Sequence, residues 1–118
     1  MNILFILNDA PYGTERSYNA LRLAKQLTKH DPAAELTLFL MADAVACAKR
    51  GQKPPGGYYN IEVMLKAALR GDNHRLLLCG TCMDARGVTE EELMEDAQRS
   101  DMDTLAAATL EADKVLVF

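Results

Sequence analysis

Residues 2–7 read Asn-Ile-Leu-Phe-Ile-Leu, an apolar run that Asn8 and Asp9 bring to an end. A run without polar alternation is typical of a strand that is buried on both faces, as strands are in a parallel sheet. Further runs of this kind occur over residues 35–41, 75–79 and 114–118. The sequence therefore predicts four strands in a mainly parallel sheet.

Segments with helical spacing separate these strands. Their apolar residues recur about one turn apart, as on the buried side of an amphipathic helix. The predicted helices cover residues 14–29, 43–49, 60–70, 89–97 and 103–112. Strands that alternate with helices predict an α/β fold: a three-layer structure in which an open, mainly parallel sheet is flanked by helices on both faces.

Polar residues mark the predicted starts of several helices. Thr14 and Asn60 are suited to cap the first and third helices, and Thr89 with Glu92 fits a capping box. Residues 50–59, RGQKPPGGYY, contain two prolines and three glycines and predict an irregular loop. No repeat or linker interrupts the chain, so residues 1–118 are predicted to form a single domain.

Composition and charge exclude several classes of function. The net charge of −4 argues against direct binding of nucleic acid, which needs a surplus of Lys and Arg. No apolar run approaches the roughly 18 residues that span a bilayer, and the N-terminus does not resemble a signal peptide. The three cysteines predict free or redox-active thiols in a reducing cytoplasm.

The third apolar run ends on Cys79, within the stretch LLLCGTCMDARG at residues 76–87. In open α/β sheets, ligands bind beyond the carboxyl ends of the strands, which is where this cysteine is expected. Backbone N–H groups in the turn would stabilise a thiolate, the nucleophilic form of cysteine. Cys79 is therefore the candidate catalytic thiol, and Cys82 is its candidate partner.

The loop after the first strand ends at the same edge of the predicted sheet. If the first and third strands are close, that loop and the Cys79 turn share a pocket whose N–H groups and arginine favour an anion. The predicted pocket residues are Asn8, Tyr12, Gly13, Arg86 and Gly87.

Other interpretations stay open from the residues alone. Cysteine is often a small buried hydrophobe, and this is the expectation for Cys47. Zinc would need His74 and Asp84 to join the two neighbouring cysteines, so neither a metal nor a cofactor is predicted. The pair could also be a redox unit, or the chain could be a non-catalytic oligomeric module that binds a small anion or a protein partner.

A series of short motifs resembles the DsrE/DsrF-like family of small sulfur-relay proteins, in order along essentially the whole chain. The matching stretches are Ala10-Pro11-Tyr12-Gly13, Leu38-Phe39-Leu40-Met41, Asp43-Ala44-Val45, Arg50-Gly51-Gln52-Lys53-Pro54, Gly57-Tyr58, Asn60-Ile61, Cys79-x-x-Cys82-x-Asp84-x-Arg86-Gly87 and Ala112-Asp113-Lys114-Val115-Leu116. The resemblance implies an α/β fold that assembles into trimers, or into hexamers built from two trimers.

The resemblance also implies a role for one cysteine. In the sulfurtransferase branch, a cysteine eight residues before an Arg-Gly glycine takes sulfur from a donor protein as a persulfide and passes it to an acceptor protein. Gly87 lies eight residues after Cys79, so Cys79 takes this role, with Tyr12-Gly13 implied nearby. Cys82 departs from the general pattern, and it could attack the persulfide or form a disulfide with Cys79.

Overall fold

The computed structural model describes residues 1–118 and contains one sheet of five strands. These are β1 (Asn2–Leu7), β2 (Glu35–Leu40), β3 (Arg75–Cys79), β4 (Ala97–Ser100) and β5 (Lys114–Val117). All four pairings are parallel, and the order across the sheet is β4-β3-β2-β1-β5. The predicted open parallel sheet is confirmed, and β4 is a strand that the sequence pattern did not predict.

Four α-helices and two short 3₁₀ helices accompany the sheet. The α-helices are α1 (Arg16–His30), α2 (Ile61–Ala68), α3 (Gly80–Ala85) and α4 (Met102–Glu111). The 3₁₀ helices are Ala42–Ala48 and Glu90–Glu92, and the first of them replaces the helix predicted over 43–49. None of the helices has both the length and the apolar character needed to cross a bilayer.

Alternate residues of each strand point to opposite faces of the sheet, and each face has its own core. On the first face, Phe5, Leu38 and Leu78 pack in one cluster with residues of α1, α2 and the Ala42–Ala48 helix. On the second face, a smaller cluster joins the sheet to α4. This arrangement confirms the three-layer architecture with helices on both faces.

The order of the strands explains why α4 lies alone on the second face. From β1 to β4 the chain moves one strand at a time in the same direction, and it then returns to place β5 beside β1. Crossovers between parallel strands are right-handed in nearly all proteins. Reversing the direction of travel therefore moves the connecting helix to the opposite face.

The predicted helix starts are only partly correct. Asn60 caps α2 as expected, because its Oδ1 accepts the Val63 N–H at 3.1 Å. Thr14 does not cap α1, which begins two residues later, after Glu15 and without a side-chain cap. The Thr14 hydroxyl instead donates to the Asp9 carboxylate at 3.3 Å.

The helix predicted over residues 89–97 is wrong, although its capping box forms: the Thr89 N–H donates to the Glu92 carboxylate at 3.0 Å. The helix stops because neighbouring backbone competes for its hydrogen bonds. The Glu92 carbonyl accepts the Arg50 N–H, and the Met94 N–H donates to the Ala48 carbonyl, both at 2.8 Å. These bonds draw the chain into an extended path that leads to β4.

Candidate functional site

The connections that follow β3 and β4 leave the sheet towards opposite faces. After β3 the chain enters α3, whose Met83 is buried in the first-face core, whereas after β4 it enters α4 on the second face. In open α/β sheets, two neighbouring strands whose connections diverge in this way leave a crevice at their carboxyl ends. Ser100 is the parallel partner of Cys79, so this crevice opens beside the thiol.

A cavity of about 540 Å³ occupies this crevice. Side chains from the end of β3, the start of α3 and the end of β4 line it, together with residues from the two segments that follow. The lining residues with polar or reactive side chains are Cys79, Thr81, Glu90, Arg99, Ser100 and Asp101. The cavity therefore combines one thiol with hydroxyl groups and charges of both signs.

Cys79 is the last residue of β3 and also the N-cap of α3. Its side chain occupies the position where Ser or Asp usually accepts a backbone hydrogen bond from the first turn. The sulfur accepts the Cys82 N–H at 3.4 Å and lies 3.2 Å from the Thr81 hydroxyl. The residue is buried, with 6% of its surface exposed, so these donors act on it with little screening by water.

These contacts set different pKa values for the two neighbouring thiols. Burial by itself raises the pKa of Cys79, but hydrogen bonds from the side chains and N–H groups of Cys82 and Thr81 outweigh it and lower the pKa. Burial and the hydrogen bond to Cys79 raise the pKa of Cys82. Cys79 is therefore the thiol that ionises first, with Cys82 as the protonated neighbour.

Arg99 is a site residue that the sequence interpretation missed. Its Nη1 and Nη2 donate to the two carboxylate oxygens of Asp84, each at 2.8 Å. Asp84, by hydrogen bonding and by charge, raises the pKa of this guanidinium, and the charge of Cys79 adds to the effect. Only the pairing of β4 with β3 brings Arg99 beside Cys79, so no local sequence signal could have identified it.

Arg86 and Gly87 lie at the other end of α3. Nε of Arg86 forms a 2.9 Å ion pair with Asp43, and its Nη1 donates to the Cys82 carbonyl at 3.2 Å. Gly87 ends the helix with a positive φ of 65° and donates its N–H to the Asp84 carbonyl. Arg86 is thus associated with Cys82, and neither residue lines the cavity beside Cys79.

The structure does not bring the loop after β1 into that cavity. The shared pocket depended on β1 and β3 being close, but β2 lies between them. The Asn8 amide donates to the Phe118 carbonyl at 3.1 Å and so holds the end of β5. Gly13 forms an exposed turn with a φ of 99°.

Tyr12 anchors the loop over residues 50–59. As predicted, this loop has no helix or strand. The Tyr12 hydroxyl donates to the Gln52 side chain at 2.6 Å and accepts the Ile61 N–H at 3.2 Å. Glu62, also missed from the sequence, adds a second anchor: one carboxylate oxygen accepts the N–H groups of Gly51 and Gln52, at 3.0 and 3.1 Å.

The structure also shows where the third cysteine and the candidate zinc ligands lie. Cys47 is fully buried in the first-face core, and burial raises its pKa to about 12. His74 precedes β3 and accepts the Leu36 N–H on Nδ1 at 3.1 Å, so it lies at the opposite end of the strand from Cys79. Asp84 is paired with Arg99, and no three His, Cys, Asp or Glu side chains converge as metal ligands would.

Known proteins are similar to this chain in sequence and in structure over its whole length. Protein YchN of Escherichia coli K12 is 45% identical over 116 residues, covering 98% of this chain and 97% of that protein. The uncharacterized protein MJ0989 of Methanocaldococcus jannaschii is 37% identical over 118 residues and covers all of both chains.

The structural comparison agrees with the sequence comparison. The crystal structure of YchN from E. coli superimposes with a TM-score of 0.92, covering 100% of this chain and 99% of that chain. A protein of unknown function from Methanobacterium thermoautotrophicum, MTH1491, has a TM-score of 0.74 at 13% identity, which shows the fold alone. The DsrE/DsrF-like family model matches residues 1–118, so the chain belongs to the DsrE/DsrF-like family.

Proposed function

We propose that the protein is a sulfur carrier that holds sulfur as a persulfide on Cys79 and passes it to a partner protein. The observation that carries the proposal is the Cys79 sulfur itself: it lies in a cavity at the sheet edge, with donors from Thr81 and Cys82 that favour its thiolate. Membership of the DsrE/DsrF-like family supports a sulfur-relay role in broad terms.

The transfer is two successive exchanges at sulfur. The Cys79 thiolate attacks the outer sulfur of a donor persulfide, the new S–S bond forms on Cys79, and the donor leaves as a thiolate. An acceptor thiolate then attacks the outer sulfur on Cys79, and Cys79 leaves as a thiolate. The outer sulfur moves without net oxidation, so no cofactor takes part. Donors that lower the pKa of Cys79 make it a better leaving group in the second exchange.

The test is to incubate the reduced protein with a cysteine desulfurase and cysteine and to measure the intact mass with peptide mapping. We expect one added sulfur on Cys79 that a reductant removes. Cys79→Ser should lose it, whereas Cys82→Ser should keep it. No added sulfur, together with slow alkylation of Cys79, would reject the sulfur-carrier function and favour a non-catalytic binding module.

A second candidate function is thiol redox chemistry by Cys79 and Cys82. It is favoured by the position of the two cysteines in one turn, with a lowered pKa on the first and a raised pKa on the second. A mild oxidant would remove two hydrogen atoms and join the two sulfurs. A reversible mass loss of two hydrogen atoms that requires both cysteines, without any sulfur loading, would favour this function over the first.

A further inference from the structure

Arg99 and Asp84 join two elements that meet at the Cys79 site. Arg99 belongs to β4 and Asp84 to α3, and both carboxylate oxygens of Asp84 accept hydrogen bonds from the guanidinium. A bidentate contact of this kind holds its two groups in one plane and one orientation. The pair therefore links α3 to β4 in one relative orientation.

The guanidinium reaches Asp84 by passing over Gly80. A methyl group on Gly80 would lie 2.8 Å from both Cζ and Nε of Arg99, closer than non-bonded atoms approach. Gly80 has no positive φ, so its backbone would accept alanine. The absence of a side chain at this position is explained by the path of Arg99 and not by the conformation of the turn.

Gly80 belongs to the turn that surrounds the Cys79 sulfur. Thr81 and Cys82, the next two residues, supply the hydroxyl and the N–H that contact this sulfur. A small shift of α3 would lengthen the distances from the sulfur to both donors. The position of α3 against β4 therefore decides whether the donors reach the sulfur.

We propose that Arg99 and Asp84 are positioning residues that clamp α3 to β4 across Gly80 and so hold the Thr81 and Cys82 donors on the Cys79 sulfur. The clamp deepens the proposed function, on which it rests in taking Cys79 as the reactive thiol. In this proposal, Arg99 does not contact the transferred sulfur. Arg99 acts through the turn, and Gly80 provides the space that its side chain needs.

The experiment measures the rate at which iodoacetamide alkylates Cys79 in the full chain as a function of pH, with peptide mapping to separate the three cysteines. Asp84→Asn should move the pH profile upwards, the opposite of the direct effect of removing a negative charge near the thiol, and Arg99→Met should move it in the same direction. At neutral pH the rate should fall up to about fivefold, the most that the coupling of an exposed ion pair usually provides. A merely structural pair would change thermal stability and leave the pH profile in place.

Gly80→Ala tests the path of Arg99 directly. The added methyl displaces the flexible end of the Arg99 side chain, so the variant should slow alkylation as Arg99→Met does. In an Arg99→Ala background, Gly80→Ala should have no further effect, because the atoms it would displace are already gone. An equal effect of Gly80→Ala in both backgrounds would overturn the clamp.

Lys49→Met is the matched control, because Lys49 forms a 3.0 Å ion pair with Glu92 and neither of these two residues lines the cavity. Its pH profile should superimpose on that of the wild type. Profiles for Asp84→Asn and Arg99→Met that also superimpose on the wild type would reject the positioning role. The alkylation assay needs no sulfur donor, so a protein that never accepts sulfur but shows these shifts would reject the sulfur carrier and keep the clamp.

Discussion

At the scale of single residues, Cys79 illustrates how a buried thiol can favour its charged form. Burial penalises a thiolate, and the Thr81 hydroxyl with the Cys82 groups reverses that penalty. Cys47 lacks comparable compensation: its weak contacts to Ser17 and to the Asp9 carbonyl, both at 3.7 Å, leave its pKa raised. The two cysteines therefore differ in chemistry because Cys47 is enclosed in the core, whereas Cys79 lines a cavity and receives more hydrogen bonds.

The Thr81 hydroxyl should be needed for the reactivity of Cys79. Thr81→Val keeps the shape of the side chain but removes the donor, so the pKa of Cys79 should rise and alkylation at neutral pH should slow by about tenfold, the lower end of what a hydrogen bond to a charged group contributes. Thr81→Ser keeps the hydroxyl and serves as the control. Equal rates for the valine and serine variants would show that the hydroxyl does not stabilise the thiolate.

Cys47 should make the protein less stable in alkaline solution. Its thiol has a pKa of 9.0 as an ordinary cysteine and about 12 in the fold, so the unfolded chain loses this proton first. Stability is therefore complete below pH 9.0 and falls as pH rises towards 12, by up to about 1.4 kcal/mol per pH unit.

Urea unfolding of the wild type and of Cys47→Ala at several alkaline pH values measures this contribution. Other titrating groups affect both proteins, so the difference between the two curves isolates the thiol. The stability of the wild type should fall more steeply above pH 9.0 than that of the variant. Parallel curves would mean that Cys47 ionises as readily in the fold as in the unfolded chain.

At the scale of secondary-structure elements, the sequence pattern predicted elements correctly where burial or capping depends on residues that are neighbours along the chain. β1, β2 and β3 are buried on both faces and carry continuous apolar runs, and Asn60 caps α2 through a local hydrogen bond. β4 reads Ala-Gln-Arg-Ser and lies at the edge of the sheet, where only part of it is covered. An edge strand this polar has no apolar periodicity that could have predicted it.

The loop over residues 50–59 should depend on Glu62 in α2. Its carboxylate is buried, yet the N–H groups of Gln52 and Gly51 and the Lys66 ammonium outweigh burial and lower its pKa. Glu62→Ala should therefore speed hydrogen exchange of these two amides and cost about 1 kcal/mol of stability. Lys66→Met, which leaves both N–H bonds intact, is the control.

The same anchor should respond to acid. Because the folded pKa of Glu62 lies below the ordinary value of 4.5, its contribution is present above pH 4.5 and is lost as pH falls through the folded value. Amide protection of Gly51 and Gln52 should decline over that range in the wild type. Protection that is insensitive to acid, or to Glu62→Ala, would contradict the anchor.

At the scale of the whole molecule, the second face of the sheet is only partly covered. Val115 and Val117 of β5 pair with Leu4 and Ile6 and share their face, yet they are 39% and 65% exposed. α4 is the only helix on this side, and its Leu110 is 88% exposed. Exposed apolar residues at an unpaired edge strand are typical of a subunit contact.

We expect a trimer or a hexamer of the 13.0 kDa chain in solution, as the family resemblance implies. Val117→Lys should shift the assembly towards smaller species if this edge is buried between subunits, because a lysine there would have to be desolvated. Light scattering after gel filtration measures the mass. Leu23→Lys, on an exposed part of α1, is the control, and a monomeric wild type would contradict the expectation.

The sequence by itself determined the class of the fold and the position of Cys79. Apolar runs report burial on both faces, helical spacing reports one buried face, and a cysteine at the end of such a run must lie at the carboxyl edge of the sheet. These properties follow from neighbours along the chain. The predictions made from them were therefore correct for β1, β2, β3 and the position of Cys79.

Only the tertiary structure decided which groups surround that thiol. The order of the strands follows from crossovers between distant segments, and it placed β2 between the Tyr12 loop and Cys79. The same order set β4 beside β3, opened the crevice between their diverging connections and laid Arg99 over Gly80. Contacts between segments so far apart in sequence depend on the packing of the whole sheet, so no local pattern encodes them.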